Sequence, residues 1–250
     1  MIRLLLLLLL CALPARAENV VAGLSNDNIG ITAAFNGSSI LIYGAVQRDA
    51  PLPPGKLGIV VTLEGPSQEV TIRRKSREFG IWVNTEKVRV AAAPSYYAVS
   101  SSAPLAEILD PAVDVQQRIS IPLAMRAFAG PLEVEDARPF TEALLRIRER
   151  EGFYSEHVGA VTIVDSTLFR ADFDLPANLI EGDYKTRIFL LRDGQLVDHY
   201  QAAISVRRVG LERWLYMLSR QHAAVYGVLS LALAVFAGWA AAEAFRRLRA

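Results

Sequence analysis

Residues Ala223 to Ala242 form a run of 20 positions without a single charged side chain. At 1.5 Å per residue, a helix of that length covers roughly 30 Å, the thickness of a bilayer's hydrocarbon core. Glu243, Arg246, Arg247 and Arg249 follow the run, and Trp214, Tyr216 and Trp239 lie where aromatic rings favour the headgroup region. The run predicts one transmembrane helix over 223–242 with a short tail over 243–250. Everything upstream must then fold as a body held at a membrane.

The opposite end says which side of the membrane that body occupies. Met1 to Ala17 carries Arg3, the leucines Leu4 to Leu10, and Ala15-Arg16-Ala17. A charged start, a short apolar run and an A-x-A site make a secretory signal peptide over 1–17. The run is too short to remain as an anchor. Cys11 is the chain's one cysteine and leaves with the leader, so disulfides, metal-thiolate sites and cysteine nucleophiles are excluded together. Arg207, Arg208, Arg213 and Arg220 precede the membrane run and three arginines follow it, so basic residues alone do not fix orientation. The leader does: export starts at the N-terminus and stops at the second apolar run, leaving the body outside the cytoplasm and the tail inside. Setting aside Arg3, Arg16, the three tail arginines and Glu243, residues 18–220 keep 22 of the 27 basic residues and 25 of the 26 acids. That exported part is slightly acidic and offers no field for nucleic acid.

The body reads as mainly β. Asn28 to Phe35 alternates, with Ile29, Ile31, Ala33 and Phe35 on one face, and Asn36-Gly37 predicts a tight hairpin into Ile40 to Val46. Asn36-Gly37-Ser38 also fits a glycosylation sequon, the weaker of the two readings. Strands are expected at Leu57 to Leu63, Glu69 to Arg74, Gly80 to Asn84 and Ser95 to Ser100. Short strands between turn residues suggest a first, immunoglobulin-like β-sandwich over 18–102. Pro104 to Asp110 and Phe140 to Glu151 have helical spacing; in the second, Phe140, Leu144 and Ile147 form a stripe, Pro139 fits the first turn and Gly152 the stop. Glu142 and Arg146 stand an i, i+4 step apart. Val113 to Phe128 fits neither pattern cleanly, and Pro122 argues against one continuous helix. Residues 103–151 are expected to form a mostly helical connector. Strand signals return at Val158 to Val164, Leu168 to Leu175, Asp183 to Leu191, Gln195 to Asp198 and Ala202 to Arg207, with Asp193-Gly194 as a hairpin turn and Phe169, Ala171, Phe173 and Leu175 inward. They make a second β unit over 152–209. A juxtamembrane helix over 210–222, with the stripe Leu211, Trp214, Leu215 and Leu218, completes the layout.

Gly65-Pro66, Val70-Thr71-Ile72-Arg73-Arg74-Lys75, Gly80-Ile81-Trp82-Val83-Asn84, Leu168-Phe169-Arg170-Ala171, Leu175-Pro176-Ala177-Asn178, Gly182-Asp183-Tyr184 and Tyr226-Gly227 to Gly238-Trp239 occur in an order that resembles a family of alphaproteobacterial transmembrane proteins of unknown function. The resemblance spans nearly the whole mature chain. It implies a bacterial inner-membrane protein with a periplasmic body, and it brings no catalytic residues with it. It also implies a transport partner, a sulfite-exporter-type permease.

Few residues form a chemical constellation. His157, His199 and His222 are scattered and show no i, i+4 pair, whereas a zinc site wants three or four converging ligands. Asp165, Ser166 and His157 lack the G-x-S-x-G elbow of a hydrolase. Asp172 and Asp174 share a strand face with Arg170; calcium binding is the sharper reading and a solvated outer face the better one. No phosphate loop, dinucleotide fingerprint or H-E-x-x-H is present, so no cofactor, no metal and no catalytic residue is expected. Arg73, Arg74, Lys75 and Arg77 are the densest basic cluster. They suit an anionic ligand, a phospholipid headgroup or an acidic partner, or else they guard an edge strand by charge. Trp82 is expected in the core, and Tyr96-Tyr97 beside a groove with one ring inward.

Ala223, Gly227, Ser230, Ala234, Gly238 and Ala241 recur on one stripe of the membrane helix, opposite Val225, Leu229, Val235, Phe236 and Trp239. Small residues on one stripe let a second helix approach closely, be it a partner membrane protein or a second copy. Two function classes follow. The first is a non-enzymatic accessory or assembly subunit of an inner-membrane, anion-transport complex; the other is a tethered periplasmic ligand-binding or sensor module for an anion. Lipid is a partner in both.

Overall fold

The computed structural model describes residues 18–32, 35–49, 51–128 and 136–248. The leader with Arg3, Cys11 and Arg16 lies outside the described residues, as do Ala33, Ala34, residues 129–135 of the connector and Arg249. In chain order the elements are β1 (Glu18–Leu24), β2 (Asn28–Ile31), β3 (Ser38–Arg48), β4 (Leu57–Glu64), β5 (Ser67–Glu78), β6 (Ile81–Pro94), β7 (Tyr97–Ser101), α1 (Leu105–Ile108), α2 (Pro111–Gln117), α3 (Ile121–Ala124), β8 (Arg126–Phe128), α4 (Arg138–Arg150), β9 (Tyr154–Val158), β10 (Val161–Val164), β11 (Leu168–Leu175), β12 (Gly182–Arg192), β13 (Gln195–Arg208), α5 (Leu211–Gln221) and α6 (Ala223–Leu248). One unit holds residues up to Ile29 with Asn36–Val206; the other holds Gly30–Phe35 with residues from Arg207 onward.

In the larger unit a four-stranded sheet runs β1-β3-β11-β10, a six-stranded sheet β2-β13-β12-β4-β7-β9, and a three-stranded sheet β5-β6-β8. β4 sits between β12 and β7 and is buried from Gly58 to Leu63. Burial on both faces is what a continuous apolar run such as Ile59-Val60-Val61 requires. On one face Val60, Tyr97, Val99, Phe189 and Leu191 pack with Ile108, Leu109, Val113, Ile119 and Ile121 of the α1–α3 stretch. On the other, Ile59, Val61, Leu63, Ile188 and Leu190 are just as buried, and β4 meets β10 of the four-stranded sheet. Each such side chain contributes about 1.5–3 kcal/mol by leaving water.

The first strand is pinned at its first residue. Glu18 is buried, with Arg48 of β3 at 2.6 Å and Arg192 of β12 at 2.7 Å, so one carboxylate ties the four-stranded to the six-stranded sheet. Burial alone would raise its pKa, but the hydrogen bonds and charges of Arg48 and Arg192 together hold it below the ordinary carboxylate value. Arg192 also donates to the carbonyls of Pro53 and Gly55, and Arg48 to that of Ser166, which leaves neither guanidinium stranded.

The mainly β class holds, but its division does not. Strands of the expected first unit (β2, β4, β7) and of the second (β9, β12, β13) are mixed within one six-stranded sheet, and β3 pairs with β11. Residues 103–151 therefore do not join two separate sandwiches. They supply α1–α3, which cover one face of that sheet, then the short strand β8, and then α4. Pro122 sits in the first turn of α3, where its missing N–H costs nothing. The Asn36-Gly37 hairpin is also corrected: β2 joins the six-stranded sheet and β3 the four-stranded one. Both flanks of β3 are taken by β1 and β11, and only Gly37 has a positive φ, of 109°. Asp193-Gly194 does make the expected turn, with φ of 48° and 85°. β13 is one strand where two were expected, and β6 runs to Pro94 where a stop was expected at Asn84. In α4, Phe140 packs with Val88, and Leu144 with Val90 and Ala93. Ile147 is 47% exposed, so it drops out of the expected stripe. β11 alternates as read, with Phe169, Ala171, Phe173 and Leu175 buried.

In the smaller unit, the Val209 amide donates to the Ile31 carbonyl at 3.0 Å. α5 and α6 meet at His222, and Arg208 and Arg220 both stand over the Tyr216 ring. Within α6, Ala223–Glu243 is long and apolar enough to cross a membrane and is not buried within the protein.

Candidate functional site: a basic hairpin arm

β5 and β6 pair as a long antiparallel ribbon whose turn is Phe79-Gly80. The last buried pair member along it is Val88, opposite Ile72, where α4 packs. From Ile72 to Phe79 the ribbon extends seven residues, about 23 Å at the rise of a strand. This outer stretch is an arm built of β structure without a core of its own.

The pairing register sorts its side chains. Arg73 faces Lys87, Arg74 faces Glu86, Lys75 faces Asn84, Arg77 faces Trp82 and Glu78 faces Ile81, with an irregularity between Arg74 and Lys75 that leaves Thr85 as the extra residue. Because side chains alternate, Arg73, Lys75, Arg77, Lys87 and Arg89 share one face with Trp82. Arg74 projects from the opposite face, where it bonds Glu86 at 3.2 Å. The expected quartet Arg73, Arg74, Lys75 and Arg77 is thus split three to one. The face also gains Lys87 and Arg89, which lie too far along the sequence to read as part of the same cluster. Glu69, 3.9 Å from Arg89, accompanies this face at its inner end. A depression of about 340 Å³ lined by Arg73, Asn84, Thr85, Glu86 and Lys87 lies at the irregularity.

Three large apolar side chains crown the arm: Phe79 is fully exposed, Ile81 65% exposed and Trp82 68%. Trp82 is therefore not a core residue, because the ribbon has left α4 behind by that point. The turn is built like that of Asp193-Gly194, with φ of 49° at Phe79 and 86° at Gly80. Left-handed backbone costs a bulky L-residue on the order of 1–2 kcal/mol, where Asn or Gly would sit with ease. Phe is not a turn residue, so although a break between Arg74 and Gly80 is expected, only Gly80 marks the turn itself in the sequence.

The other candidates do not assemble. Asp165 and Ser166 are the β10–β11 turn, both with positive φ, and the Ser166 carbonyl serves Arg48. His157 on β9 bonds Ser155 at 3.1 Å. Arg170 and Asp172 form an exposed ion pair at 2.8 Å, the bland account of that strand face. His199 and His222 are exposed. Among the described residues no cluster of His, Cys, Asp and Glu suits a metal ion. Tyr96 and Tyr97 are both buried rather than flanking a groove, because the chain turns at Ser95–Tyr96 and breaks the alternation. The Tyr96 hydroxyl donates to the Asp174 carbonyl, and that of Tyr97 to Ile119. Burial pushes Tyr97 and Tyr154 each up to about 12 and Tyr96 higher still. On α6, a Cβ at Gly227 or Gly238 would meet nothing within 4 Å, and Ser230 bonds its own helix at the Tyr226 carbonyl.

Residues 19–247 match the model of a family described as "Putative transmembrane protein (Alph_Pro_TM)". The chain belongs to that family. With the apolar helix Ala223–Glu243, membership makes it a single-pass membrane protein. No curated protein matches it. Among solved structures, Spo0M, a sporulation control protein from Bacillus subtilis, is 9% identical with a TM-score of 0.28, over 82% of this chain and 56% of that one. BslA, a bacterial hydrophobin, is 11% identical with a TM-score of 0.22, over 77% of this chain and 97% of that one. The chain thus spans little more than half the length of Spo0M.

Proposed function

We propose that this family member is a non-enzymatic binding module, tethered to a bacterial inner membrane with its body in the periplasm and its tail in the cytoplasm, and that the arm is its anion-binding element. The observation that carries the reading is the convergence of Arg73, Lys75, Arg77, Lys87 and Arg89 on one exposed face. A chain whose exported part is slightly acidic overall gathers its cations here, and such a patch attracts a multivalent anion or an anionic surface. Guarding the exposed edges of the ribbon accounts for some of these charges, but edge protection does not require five cations gathered on one face. Thermal unfolding of the full chain in neutral detergent, with and without inorganic tripolyphosphate, tests this. The expected result is a rise in Tm that saturates and is lost in the triple variant Arg73→Ser, Lys75→Ser, Arg77→Ser. An unchanged Tm across an anion series contradicts it.

A second reading is favoured by α6, where open space at Gly227 and Gly238 leaves the small-residue stripe available to another helix. On that reading the protein is an accessory subunit of an anion-transport complex. Co-purification with a polytopic membrane protein, lost on replacing Gly227, Ala234 and Gly238 by Leu, supports it; purification as a lone chain counts against it.

A further inference from the structure

We infer that the arm docks on an anionic lipid bilayer, the basic face lying on the headgroups and Phe79 and Trp82 entering the interface; this rests on the reading of the arm as an anion-binding element. The first argument is the apolar tip. A strand edge guarded only by charge has no use for three large exposed apolar side chains at its end, and a soluble anion needs none. Phe79 is held in a left-handed conformation with its ring fully in water, so the folded chain gains nothing from it unless the ring is covered elsewhere. Aromatic rings at a ribbon end are the side chains that settle at the headgroup level of a bilayer.

The second argument is complementarity. Trp82 stands directly across from Arg77 and shares its face with Lys75 and Arg73, so apolar and cationic groups succeed one another along the arm as hydrocarbon and phosphate do across an interface. Each Lys or Arg brought near an anionic membrane strengthens binding by a factor of about five. The long stems of these residues can lie along the apolar region while their charges reach the phosphates. A second copy of the arm fits poorly, because it would set one basic face against another. The membrane helix keeps the chain at a bilayer throughout, so even a weak contact is populated.

The test uses the full chain with Trp214→Phe and Trp239→Phe, leaving Trp82 as the sole indole, reconstituted into vesicles of phosphatidylcholine alone or with phosphatidylglycerol. The expected result is a blue-shifted emission in the anionic vesicles, quenching by lipids brominated on the acyl chain, and protection from aqueous acrylamide. These effects should weaken in phosphatidylcholine and in the Arg73→Ser, Lys75→Ser, Arg77→Ser variant. The tip is exposed, so Phe79→Ser leaves folding intact and should also reduce the quenching. Emission typical of water in both vesicles, untouched by brominated lipid, overturns the inference. So does a blue shift that grows with protein density, which means arm-to-arm contact, or one that needs added membrane proteins, which means a protein partner. If tripolyphosphate still raises Tm while Trp82 stays in water, lipid docking fails and anion binding stands; if neither occurs, both fall.

Discussion

β4 and β5 are neighbours in sequence, separated only by Gly65 and Pro66, yet they use the same secondary structure for opposite ends. β4 hides six consecutive residues, Gly58 to Leu63, between a layer of short helices and a second sheet. β5 is exposed along most of its length and, among the described residues, is held by its partner strand alone beyond Ile72. The difference teaches that strand formation and core formation are separable here. The body's strands exist because they bury apolar area, whereas the arm exists because backbone pairing and a tight turn extend a ribbon out of that body.

If that contrast is right, damage to the body should be far costlier than damage to the arm. The largest effect is expected at Glu18, whose loss leaves Arg48 and Arg192 facing each other without their shared carboxylate. Glu18→Gln should destabilise the body by about 3–5 kcal/mol in denaturant unfolding of the full chain in micelles. Next comes a matched pair: Ile188, 0% exposed on β12, and Ile81, 65% exposed on the arm. Ile188→Ala should cost roughly 2–5 kcal/mol, and Ile81→Ala less than about 0.5 kcal/mol. Equal costs would mean that the arm has a core after all.

The same contrast should be visible against pH. The Glu18 carboxyl is lowered in the folded chain, so its contribution is present above the ordinary carboxylate value and disappears as pH falls through the depressed one. Tyr97 and Tyr154 are raised from 10.0 to about 12. The folded state therefore holds those protons more tightly than the unfolded one, and stability should be intact below pH 10 and decline as pH rises through about 12. Thermal unfolding across pH, with Tyr97→Phe and Tyr154→Phe flattening the alkaline limb, checks both signs. The smallest effect is expected at the tip itself: Phe79→Gly removes a strained turn residue that touches no core, and should leave Tm unchanged or slightly raised.

The body was largely legible because its signals are local. The alternation of Phe169 to Leu175 gave β11 its inward face, Asp193-Gly194 gave the β12–β13 turn, and Pro139, Phe140, Leu144 and Gly152 gave α4. What stayed hidden is long-range pairing. No periodicity in Ile40 to Val46 says that its partners will be β1 and β11, so one interleaved body read as two units and Asn36-Gly37 read as a hairpin. The candidate site was half legible. Arg73, Lys75 and Arg77 were visible as a cluster, but Lys87 and Arg89 join them only through the β5–β6 register, and Trp82 looked like core because an aromatic inside a strand usually is.

The account's central claim, that the arm binds and the body supports it, is tested most directly by hydrogen–deuterium exchange of the full chain with and without inorganic tripolyphosphate. The account predicts slowed exchange in peptides covering residues 71–89 and no change in β4 or β12. Unchanged exchange in the arm, or protection that falls on the body instead, would contradict it.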